Sequence, residues 1–154
     1  MSLRDHPYAA FFGFAALLFL AATLGSDVVA RTTIAREGLR QAIAGHAHYA
    51  VAQPTGTALL LAPFLLLGWM SASLGRRKGF DKGLGVFLLG TLLPGFMYFS
   101  GYQDAQGYLK RHMWTAAALA VGLLPLKSLP LLLICLGGRW LLGRKQDEAA
   151  LSAQ

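Results

Sequence analysis

The 154 residues are 55% hydrophobic and only 14% charged, with a mean hydropathy of +0.49. A soluble domain carries about 25% charged residues; here the charges gather in short connectors between long apolar runs, a composition that excludes an ordinary water-soluble fold. The formal charge of +7 and isoelectric point near 10.0 would suit nucleic acid, but basic residues at the ends of apolar helices resist translocation and meet anionic headgroups, so no nucleic-acid partner is expected.

A helix needs roughly 17 to 25 apolar residues to cross a hydrocarbon core, and the chain offers four candidate runs. The first covers residues 8–24, after Arg4, Asp5, His6 and Pro7. Gly25 and Ser26 make only a weak cleavage signal, and Phe11, Phe12, Phe14 and Phe19 suit a retained helix. The polar stretch from Gly25 to Pro54 follows, with Ser26 or Asp27 placed to cap a helix from Val28. At 100° per residue, Val28, Thr32, Ala35, Leu39, Ile43 and His46 share one side, so this helix is expected to lie on the bundle or the outer surface.

The second run, 55–74, holds Pro63, and the third, 83–101, holds Pro94 and Gly95. Proline lacks the N–H of a helical hydrogen bond, so both are candidate kinks. Two bent neighbours can open a cavity between them, although Pro and Gly are also commoner in membrane helices generally. The fourth run, 113–142, would make an ideal helix of about 45 Å, too long for a core of about 30 Å. Pro125 and Pro130 bracket Lys127 within it, so it is expected to break near 125–130. It is read as one broken span in preference to a hairpin.

The expected architecture is therefore an all-α bundle of about four membrane-spanning helices, with an interfacial helix between the first and second. The basic cluster Arg76, Arg77, Lys78 and Lys82 marks the cytoplasmic side. That places Arg4, Arg139, Arg144 and Lys145 inside as well, eight basic residues against Arg31, Arg36, Arg40, Lys110 and Arg111 outside. Both termini are expected in the cytoplasm of a bacterium, with the chain in its inner membrane.

Few residues suggest chemistry. Lys127 is the charge set deep inside an apolar run, Arg139 falling near the end of the same run; an ionisable group at membrane depth is costly unless paired or solvated, and is a functional candidate. The bland alternative places it at the edge of the core with its ammonium reaching headgroups. No carboxylate lies within the four runs to pair with it. His46 and His48 are weak metal candidates, since residues two apart point in opposing directions on a helix; Asp104 and His112 would join them only if the outer loops converge. Cys135 has no second cysteine, which excludes an intrachain disulfide or a CxxC site. No catalytic set and no cofactor motif occurs, so no enzyme activity is expected. Small residues four apart, Gly68 and Ala72, Ser71 and Gly75, Ala116 and Ala120, permit close helix packing. These features favour a non-catalytic subunit or accessory factor of a membrane complex, with lipid, other subunits or itself as partners. The alternatives are a small transporter or channel for an anion or polar solute, with Lys127 on its path, and a membrane-perforating or immunity-type protein.

Overall fold

The computed structural model describes residues 4–130, 132 and 133. Among these, every regular element is helical, and three helices are long and apolar enough to cross a membrane. Helix α1 runs over Pro7–Ala35, α2 over Leu39–Ala52, α3 over Pro54–Lys78, α4 over Phe80–Lys110 and the shorter α5 over Trp114–Pro130, opened by one turn at Leu123.

Each long helix outlasts its apolar run. Expected to end at Leu24, α1 continues for eleven residues to Ala35, so Ser26 and Asp27 cap nothing and are buried within it. Two π-helical turns, Ala21–Gly25 and Arg31–Ala35, interrupt it. The helix stops where Arg36 turns into the left-handed region at φ 58° and the Glu37 amide bonds back to the Arg31 carbonyl at 3.1 Å. This is a C-terminal cap with one residue more than the usual Schellman closure, as the preceding π turn requires. The helix expected from Val28 is therefore two elements, the end of α1 and the separate α2. Helix α4 likewise passes the expected end at Gly101 and reaches Lys110, because Gln103, Asp104 and Gln106 lower hydropathy without disfavouring helix.

Packing is set by glycines where backbones meet. A Cβ on Gly68 would stand 3.1 Å from both Ala15 Cβ and the Phe11 carbonyl, fixing the α1–α3 crossing. One on Gly83 would stand 2.5 Å from the Ser71 carbonyl and 2.9 Å from Gly75 Cα, so α3 and α4 touch backbone to backbone. Gly68, Ser71, Ala72 and Gly75 are all buried. Gly79, at φ 101°, makes the tight reversal between α3 and α4.

Aromatic rings fill the space above this crossing. Phe11 stacks on Phe80 at 5.1 Å and meets Phe14 edge-on at 5.9 Å, while Phe64 lies edge-on between Phe19 and Tyr98. Pro63, Pro94 and Pro125 are fully buried inside helices that continue past them. Pro63 leaves the Leu59 carbonyl without its helical donor, and the next carbonyl along, that of Leu60, accepts from the Tyr98 hydroxyl at 2.6 Å. Between the two proline-bearing helices, Leu67 packs on Gly90.

In α5, Lys127 donates its amide to the Leu123 carbonyl at 3.0 Å across the opened turn, and Ser128 caps back to Pro125 at 3.1 Å. Ser128 also meets the Tyr98 hydroxyl, while Leu124 packs against Gly101. Over the described residues to Pro130 the chain thus keeps descending alongside α4 past Pro125. Residues 134–142 of the expected fourth span, with Cys135, Arg139 and Trp140, and the basic Arg144 and Lys145 beyond it lie outside the described residues.

Candidate functional site

Two groups of polar side chains stand out, and the first is a buried ion-pair cluster at the end of the bundle away from Gly79. Asp27, 4% exposed, projects from α1 toward α2 and α4. Its carboxylate accepts from Arg31 Nε at 3.1 Å to each oxygen, from Gln106 Nε2 at 3.4 Å, and faces His46 Nδ1 at 3.0 Å. Arg31, one helical turn on, also reaches Glu37 at 3.3 Å and lies over the Tyr49 ring at 5.7 Å. The His46 ring lies 6.3 Å from that of Tyr102. Gly45 makes room for this arrangement, since a Cβ there would stand 2.9 Å from Arg31 Nη1.

The cluster joins α1, α2 and α4 through opposite charges and hydrogen bonds whose donors and acceptors are used on one another. A buried network of this kind fixes geometry. Sequence reasoning missed Asp27, Arg31 and Gln106 as a group. The available signal was the i, i+4 spacing of Asp27 and Arg31 on a helix, which was hidden by placing Asp27 at a cap and starting a separate surface helix at Val28.

The expected metal candidates separate. His46 belongs to the cluster, whereas His48 is exposed beside Tyr49 at 6.2 Å. His112 stands in the α4–α5 turn at φ 60°, next to Trp114. Among the described residues no three His, Cys, Asp or Glu side chains are grouped for a metal.

The second group lines a cavity of about 330 Å³ between α4 and α5. Ser100, Asp104 and Tyr108 form a polar track down α4, with Lys127 at its lower end, opposite an apolar wall that includes Ala116, Leu119 and Ala120. Ala116 and Ala120 thus border open space. Asp104 lies three residues past the expected end of the third run and is the carboxylate that the apolar runs alone did not supply for Lys127. Comparison with family models, with curated proteins and with solved structures finds no match for this chain.

Proposed function

We propose that this chain is a polytopic membrane protein, α1, α3 and α4 crossing the bilayer, that serves as a non-catalytic subunit or accessory factor of a membrane assembly. One observation carries the reading: the interior polar groups of the larger cluster are consumed by each other, while the long helices turn apolar side chains outward. Only 22% of the most apolar stretch of α4 is buried, and Leu88, Leu89, Leu92, Phe96 and Phe99 stand exposed along it. Contiguous apolar surface on this scale belongs against lipid or other membrane helices.

The cytoplasmic side is the Gly79 end, bearing Arg76, Arg77, Lys78 and Lys82. Arg4 shares that end, since it meets Asp81 at 3.3 Å. The bacterial inner membrane is the location this orientation suits. To test the reading, membranes containing the chain are solubilised in mild detergent and fractionated by size. A companion membrane protein held in fixed stoichiometry, and lost from the membrane when this chain is removed, is the expected result. Migration as a lipid-and-detergent-bound monomer with no dependent companion refutes it.

The α4–α5 cavity favours a second reading, a carrier for a small polar solute. In that case Lys127→Ala abolishes flux with assembly intact.

A further inference from the structure

The heights of Lys127 and Asp104 follow from helix register. Leu124 packs against Gly101 and Ser128 meets Tyr98, so Lys127 is level with Tyr98, about 5 Å from Gly95 at the midpoint of α4. Asp104 is six residues farther along α4, about 9 Å nearer the outer end. Side chains on a helix tilt toward its N-terminus; α4 runs outward and α5 inward, so Asp104 leans down and Lys127 leans up. Both are exposed, and among the described residues neither is in an ion pair. The groove therefore presents an acid and a base converging on one depth.

We propose that this groove is the interface between two copies of the chain, related by a two-fold axis along the membrane normal, with Lys127 of each copy paired to Asp104 of the partner subunit. The inference rests on the membrane-spanning reading above and names one partner within it. Self-complementarity is what a two-fold interface demands, and this groove carries both members of the pair. Lys127, level with Tyr98, stands inside the outer end of the apolar run 83–101, and a charge within the span is costly unless paired. Gly101, Ala116 and Ala120 keep the groove floor low, which lets a second backbone approach. Leu119, 52% exposed on the rim, supplies a side chain to fill it. A volume of 330 Å³ is at the bottom of the range of about 300 to 1,000 Å³ for small-molecule pockets, and suits side chains of an adjoining helix.

The experiment uses the full chain with two different tags, co-expressed and read by co-purification and by energy transfer in membranes. Wild type is expected to dimerise. Lys127→Asp makes both groove charges negative and Asp104→Lys makes both positive, so each alone should lose self-association at least tenfold. Mixed together they restore both pairs, and a heterodimer of near wild-type strength is expected. Intrachain pairing gives no such preference. A monomeric wild type, reversal variants that associate normally, or a mixture no better than either alone overturns the proposal. If a reversal variant fails to fold, Lys127→Gln and Asp104→Asn replace it; each should weaken dimerisation at least fivefold, and no change overturns the proposal. Extraction by alkaline carbonate separates the two levels. Release of the chain sinks the membrane reading itself, whereas retention of a monomer sinks the dimer alone.

Discussion

Replacing Asp27 by alanine removes the acceptor shared by Arg31, His46 and Gln106, at a site where the Asp27 and Arg31 side chains are 6% and 14% exposed. Breaking a buried ion pair from one side costs about 3 to 5 kcal/mol, because the remaining charge is left without compensation. Arg31 retains Glu37 at 3.3 Å, so the lower end, about 3 kcal/mol, applies. For a chain of this size that corresponds to a fall in Tm of about 6 to 12 °C. The assay is a temperature series on detergent-purified protein, scored by the fraction surviving in the monodisperse elution peak. A second variant, Asp27→Ala with Arg31→Met, removes both charges and should recover at least half of the loss. A fall under about 2 °C for Asp27→Ala, or a double variant less stable than the single one, would refute the argument that the pair's burial governs this end of the bundle.

Gly83→Ala places a methyl against the Ser71 carbonyl and Gly75 Cα, both backbone atoms that cannot swing aside, and should cost about 1 to 3 kcal/mol. Gly85→Ala, two residues on with open space around it, should be neutral or stabilising by up to about 1 kcal/mol; the same melting assay compares them, and equal effects would contradict the α3–α4 contact. Tyr98→Phe removes the bond to Leu60 and should cost about 0.6 to 1.7 kcal/mol, the range for polar contacts between membrane helices. Reporter fusions at Arg77 and Arg40 should report opposite sides of the membrane, and a shared side would remove α3 as a span.

The helices were legible in the sequence wherever hydropathy and helix coincide. Residues 55–74 sit within α3 and 83–101 within α4, because no charge interrupts them. Their true ends were hidden, since polar residues lower hydropathy while leaving helix propensity intact. The same confusion concealed the polar cluster. With α1 stopped at Leu24, Asp27 read as the cap of a separate surface helix and Arg31 as one of its residues, and Gln106 lay beyond the expected end of its helix. Lys127 stood out because one charge in an apolar run is conspicuous, whereas Asp104 did not, because only the antiparallel pairing of α4 and α5 brings it to the same cavity.

The two π turns explain how an apolar helix can carry an ion pair into the bundle. Phe11, Ala15, Phe19, Thr23, Asp27 and Arg31 recur every four residues, and all face inward or pack on the core. On an ideal α-helix each four-residue step drifts about 40°, so such a stripe would rotate off the interface before reaching Asp27. A π turn inserts an extra residue into the local repeat and reduces that drift, and the turns at Ala21–Gly25 and Arg31–Ala35 fall just before and just after the charged segment. The lower part of the stripe meets α3 through Ala15, opposite Gly68. Its upper part meets α2 and α4 through charge. The two ends of α1 are thus held by different physics, small-residue contact below and a paired charge above. Returning the first π turn to α-helical register by deleting one of its five residues should therefore release the upper contacts, lowering the protection of α2 from proteolysis while leaving the α1–α3 crossing formed.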